Sequence, residues 1–182
     1  FNQRLPNTIS NKDLKKYVIT GFGIKHRIHP LAAAIANAEL KKLNFYIKKR
    51  NNVLNKFSNE LSKIPGLSPP ITRKKMHRGA FFCYRLFVDT KQLNNISIEN
   101  FIKILTKEGM EVRRASHQPL HLLPLFLNSK KNKITKKIPN AEIFYETTIT
   151  IPTFTFEKKE LINQYLRTFK KVCIILNKNI YK

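Results

Sequence analysis

Two stretches hold the residues with the most chemical potential. The first is Gly21-Phe22-Gly23-Ile24-Lys25-His26-Arg27-Ile28-His29-Pro30, a glycine-bracketed turn running straight into a helical pattern. Lys25 and Arg27, two residues apart, suit a phosphate or carboxylate: arginine grips two oxygens with its fork, and lysine adds a point charge. A helix start just behind them, with its free N–H groups and dipole, favours the same kind of ligand. The bland alternative is two solvated cations among 35. His26 and His29 lie three apart without a third ligand, so no metal site is expected. The second stretch is His117-Gln118-Pro119-Leu120-His121, on a long loop after Arg113 and Arg114. A neutral imidazole there can hydrogen-bond a substrate or shuttle a proton. Equally, these are loop histidines packed on Leu120, Leu122 and Leu123. Of the two arginines ending the preceding strand, one should point inward and the other to solvent, because the strand period is two.

What is missing bounds the chemistry. The sequence has no glycine-rich phosphate loop with its Lys-Ser/Thr, no nucleophile elbow and no paired carboxylates on a shared loop. Eleven acidic residues are scattered along the chain. These 182 residues therefore offer an anion-facing loop and candidate imidazoles, and no catalytic residue is assigned among them.

The elements that must position these groups follow from periodicity. Pro30 suits the first turn of a helix. Leu31, Ala34, Ile35, Ala38, Leu43, Tyr46, Ile47, Val53, Leu54, Phe57 and Leu61 then recur at helical spacing until Pro65-Gly66. One helix from Pro30 to about Ser62 would run about 50 Å at about 1.5 Å per residue. That is longer than a small domain needs, so it reads as a brace, and the small residues of 32–38 let another backbone approach. Before it, 1–29 reads as a lead-in, with 13–19 either a short helix or an extended segment. After it, 65–79 is a linker and Ala80 to Val88 a buried aromatic strand. Ser97 caps a short helix, with Ile96 and Phe101 as its staple and Gly109 as its close. Met110 to Arg114 is a second short strand. The stretch 115–140 is long and irregular, with a lysine-rich tip. One or two helical turns over 139–146, an extended stretch over 147–151 and an amphipathic helix over 157–176 complete the chain. The predicted fold is α/β in composition: a long N-terminal helix, and over 65–182 a small α+β domain with a short mixed sheet and helices packed on it.

Composition sets the class. Hydrophobic residues make up 42% of the chain, which argues for a packed core. No apolar run reaches membrane-spanning length and no leader pattern opens the chain. The two cysteines, Cys83 and Cys173, sit in apolar surroundings without metal spacing. A cytoplasmic protein without membrane attachment is expected, one that continues something upstream of Phe1. The net charge of +24 points first to nucleic acid. Its cations are, however, spread along a chain rich in Lys, Asn and Ile together, so specific nucleic-acid recognition is not expected. A basic RNA- or polyanion-binding module remains the rival reading.

Several ordered motifs resemble the DegT/StrS-type sugar aminotransferases. Gly23-Ile24-Lys25-His26-Arg27 is similar to that family's Gly-Tyr-Asn-Tyr-Arg-like loop, and Ala33-Ala34-Ile35 with Glu39-Leu40-Lys41-Lys42-Leu43 to the helix after it. Pro65-Gly66-Leu67, the aromatic strand, Gly109-Met110-Glu111-Val112, Pro119-Leu120-His121-Leu122-Leu123-Pro124, Ala141-Glu142 and Ile151-Pro152 follow in the family's order. The resemblance implies the C-terminal domain of a fold-type-I, pyridoxal-phosphate-dependent enzyme. Such enzymes move an amino group from glutamate or glutamine to a keto-sugar, often nucleotide-linked, or a keto-cyclitol. It implies a homodimer or a missing N-terminal half, with the cofactor held mainly by a large domain that also supplies the Schiff-base lysine. It places Lys25 where the family has an asparagine contacting the cofactor phosphate, and Arg27, His121 and His117 toward the substrate. Ile24 and His26 depart from the family's tyrosines.

Overall fold

The structure is a computed structural model that describes residues 10–15, 28–76, 78–114, 118–127 and 138–178. A single turn, α1 (Lys12–Lys15), precedes two consecutive helices, α2 (Pro30–Leu40) and α3 (Leu43–Leu61). The expected single helix is thus interrupted at Lys41-Lys42. There the Lys42 N–H reaches back three residues to Glu39, and the Tyr46 N–H restarts the ladder on the Lys42 carbonyl. Apolar recurrence continues through the break, which is why periodicity does not reveal it. His29 caps α2, its Nδ1 accepting from the Leu31 N–H at 3.2 Å.

Four strands form the sheet: β1 (Leu67–Ser68), β2 (Tyr84–Val88), β3 (Arg113–Arg114) and β4 (Thr148–Ile151), in the order β1-β2-β4-β3. Every pairing among them is antiparallel, where a mixed sheet is expected. The 65–79 linker contributes β1, and the aromatic strand begins only at Tyr84. Phe81 is buried just ahead of it, whereas Phe82 is 95% exposed. Alternation explains the rest: Tyr84, Leu86 and Val88 face the core, and Arg85 and Phe87 face the other way. The register sets Tyr84 opposite Ile151 and Leu86 opposite Ile149, so β4 presents its isoleucines to the same core.

Helices α4 (Ile98–Lys107) and α7 (Lys159–Asn177) complete that core with Phe101, Leu105, Tyr165, Phe169 and Val172. Helix α4 is closed locally at both ends. The Ser97 hydroxyl accepts from the Asn100 N–H at 3.3 Å. Gly109, at φ +85°, lets its own N–H reach Thr106 and that of Met110 reach Leu105, the paired bonds of a glycine-closed helix end. Phe57 of α3 meets Tyr84 and Phe154 edge-on, with centroids 5.6 and 5.4 Å away, and the Tyr84 hydroxyl shares a 2.7 Å hydrogen bond with Ser58. Arg50 ties α3 to the remainder, donating to Thr155 Oγ1 at 2.8 Å and to the Phe81 carbonyl at 3.2 Å. Both cysteines are free, and burial pushes the Cys173 thiol up to about 12. No helix among the described residues is long and apolar enough to cross a membrane.

Candidate functional site

His121 is the predicted site residue that the structure places. Pro119 opens a tight turn, and the Leu122 N–H returns to its carbonyl at 2.9 Å. That turn (Leu120–Leu122) leads into α5 (Pro124–Leu127) through the buried Leu123. The turn drives the His121 ring inward to 8% exposure. Its Nε2 lies 2.9 Å from Oε1 of Glu142, in the first turn of α6 (Pro139–Thr147). A carboxylate in the first turn of a helix is favoured by the helix dipole. With the proton on Nε2 donated to Glu142, Nδ1 carries the lone pair. The pair is thus a buried imidazole whose orientation is set by a carboxylate, able to accept a hydrogen bond or hold a proton.

One turn further along α6, the same helix clamps Arg114. The guanidinium lies over the Tyr145 ring, 4.1 Å to the centroid, and pairs with Glu99 of α4 and with Glu146 at 2.6 Å. Arg113 beside it is exposed, as the strand period predicts. The Arg114 Nη2 contact is an ion pair without hydrogen-bond alignment, because that nitrogen and Nε find no aligned acceptor among the described residues. Two carboxylates answer one arginine, and the cluster docks α6 onto β3 and α4.

Lys25, Arg27 and His117 lie outside the described residues, so the structure does not test the anion-facing loop or the pairing of the two histidines. The pairing of His121 with Glu142 is not visible in the sequence. Glu142 stood out only as part of the Ala-Glu motif, and no local spacing links it to a residue 21 positions earlier. His29, weighed above for a metal, spends its Nδ1 on capping α2. Among the described residues no group of three or more His, Cys, Asp or Glu is placed to hold a metal ion. Every described lysine is exposed in this chain.

Comparison with known proteins adds breadth to this geometry. The sequence profile of the DegT/DnrJ/EryC1/StrS aminotransferase family matches residues 5–167. The chain is 28% identical over 158 residues to the uncharacterized protein MJ1066 of Methanocaldococcus jannaschii, covering 86% of this chain and 39% of that protein. It is 26% identical over 148 residues to the spore coat polysaccharide biosynthesis protein SpsC of Bacillus subtilis, covering 81% and 37%. Among solved structures, the aminotransferase TlmJ from Streptoalloteichus hindustanus superposes with a TM-score of 0.68 at 19% identity, covering 87% of this chain and 40% of TlmJ. That likeness establishes the fold alone. The chain spans about two fifths of the length of these relatives.

Proposed function

Because the chain belongs to the DegT/DnrJ/EryC1/StrS aminotransferase family, we propose that it acts as the C-terminal domain of a pyridoxal-phosphate-dependent sugar aminotransferase. The amino group passes from glutamate or glutamine to a keto-sugar, nucleotide-linked or not, or to a keto-cyclitol. The observation that carries this reading is the family match over 5–167 together with the placement of His121, which falls in a family motif and is buried against Glu142. In this reading the cofactor and its Schiff-base lysine belong to a large domain outside these 182 residues. Lys25 meets the cofactor phosphate, and Arg27, His121 and His117 face the sugar. The assembled enzyme is a cytoplasmic homodimer in which the Gly23 to Arg27 loop reaches the neighbouring subunit's site.

Within this chain the imidazole has a definite task. Glu142 holds the Nε2 proton and leaves Nδ1 to accept a hydrogen bond from a substrate hydroxyl or ammonium group. Borohydride reduction of the protein isolated from its own cells, followed by intact-mass measurement, tests the whole reading. A pyridoxyl–lysine adduct is expected, on a longer chain or on one that copurifies. In that assembly His121→Ala should lower amino transfer by about 100-fold while leaving the adduct in place. A lone chain of 21.3 kDa without adduct would overturn the proposal.

A further inference from the structure

The sheet's outer face carries a groove that the aminotransferase reading does not use. It has a volume of about 610 Å³ and lies between the 68–71 segment, the approach to β2, β2 itself and α6. Alternation along β2 sends Arg85 and Phe87 into it, and the register sets Thr148 opposite Phe87 on the same face. Phe144 of α6 and Phe82 stand at its sides, both with exposed rings.

Charge is the informative feature. Arg85 and Arg78 both line this groove, and among the described residues no carboxylate does. Their positions are nonetheless set by neutral partners. Arg85 donates from Nε to Cys83 Sγ at 3.2 Å and lies 5.6 Å from the centre of the Phe144 ring. Arg78 donates to Thr72 Oγ1 at 3.1 Å and to the Ile71 carbonyl at 3.0 Å, with its guanidinium 4.6 Å from the Phe81 centroid. An unpaired surface arginine ordinarily keeps its rotamer freedom in water; two held in one groove, with their charge unanswered, are prearranged for an anion. Arg114, by contrast, is answered by Glu99 and Glu146. A second observation is independent of charge. Thr148 is 1% exposed and lines the groove, yet its Oγ1 has no hydrogen-bond partner among the described residues. Buried hydroxyls are almost always satisfied, so an orphan one at a groove floor marks a place for a ligand atom.

We infer that this groove binds a small anion, carboxylate or phosphate, carried on an aromatic or similarly flat ring. The two guanidiniums take the anion's oxygens, the phenylalanine rings take the flat group, and the unpartnered Thr148 Oγ1 donates to an oxygen of the ligand. Nothing in this depends on amino transfer by the chain.

Calorimetric titration of the full chain with phenyl phosphate, benzoate and inorganic phosphate at physiological salt tests it. Saturable binding of phenyl phosphate or benzoate is expected, at least about tenfold tighter than inorganic phosphate; whichever of the two binds better identifies the anion. Arg85→Met should weaken that binding by about tenfold or more, and the isosteric Thr148→Val by about threefold to fivefold. Lys63→Met, in a different groove between α3 and α7, should leave it unchanged. If Arg85→Met fails to fold by circular dichroism, Arg78→Met takes its place and should weaken binding to a similar extent. Binding that Arg85→Met and Lys63→Met reduce equally would assign the effect to the chain's overall charge and overturn the proposal, as would no saturation by either ring compound at about 10 mM.

Discussion

Helices α2 and α3 follow one another with a single uninterrupted recurrence of apolar residues, and they meet opposite fates. Helix α3 sinks Leu54, Phe57 and Leu61 into the core while its other side carries Lys48, Lys49, Asn52, Asn55 and Lys56. Helix α2 buries nothing against the described residues: Leu31, Ile35 and Leu40 are 65%, 57% and 64% exposed. Its sequence, Pro-Leu-Ala-Ala-Ala-Ile-Ala-Asn-Ala-Glu-Leu, contains one charge and is apolar nearly all round. A helix of that kind belongs inside something, whereas an amphipathic one belongs on the edge of a core. The two halves therefore draw their stability from different sources. Burial within this domain holds α3, and contacts beyond it are what the composition of α2 calls for. The turn at Lys41-Lys42 divides the two.

That contrast can be broken most strongly from the α3 side. Phe57→Ala removes a ring packed edge-on against Tyr84 and Phe154 and should cost about 3–5 kcal/mol of stability in chemical unfolding of the chain. A loss under about 1 kcal/mol would mean that α3 is not docked as described. An intermediate effect is expected from alkaline pH. Burial raises Tyr84, hydrogen-bonded to Ser58 of α3, from 10.0 to about 12, and raises Cys173 from 9.0 to about 12. Both groups are neutral in the folded chain and ionise sooner once it unfolds. Their contribution is complete below about pH 9 and is lost as pH rises through 10 toward 12, so the urea midpoint should fall across that window. Tyr84→Phe should soften the fall. The smallest effect belongs to α2: Ile35→Ser should change stability by no more than about 0.5 kcal/mol in the isolated chain, because the side chain is already in water. The same substitution in the proposed assembly should cost about 2 kcal/mol or more, and equal effects in both settings would erase the contrast.

Much of the domain was legible because its signals are local. Ser97, Phe101 and Gly109 define α4 through bonds that span six residues or fewer, and the structure places the helix where those residues require. The helical spacing of Tyr165, Phe169, Val172 and Leu176 matches α7, and the extended stretch expected over 147–151 holds β4. Where neighbouring residues give conflicting cues, locality failed. Phe82 belongs to the same aromatic run as Phe81 and Tyr84, yet it stands in solvent because β2 starts two residues later.

The sequence by itself determined the class of fold, most of its helices, the cationic character of the chain and the family motifs that include His121. Tertiary structure alone decided the order β1-β2-β4-β3, the meeting of His121 with Glu142 across 21 residues, the answered charge of Arg114 and the unanswered charges of Arg78 and Arg85 among the described residues. The physical reason is range. Helix periodicity and caps are settled by interactions between near neighbours in the chain, so the residues that cause them can be read together. Which strand lies beside which, and which carboxylate reaches which cation, depends on the burial of a shared core, and that quantity exists only once distant segments have packed.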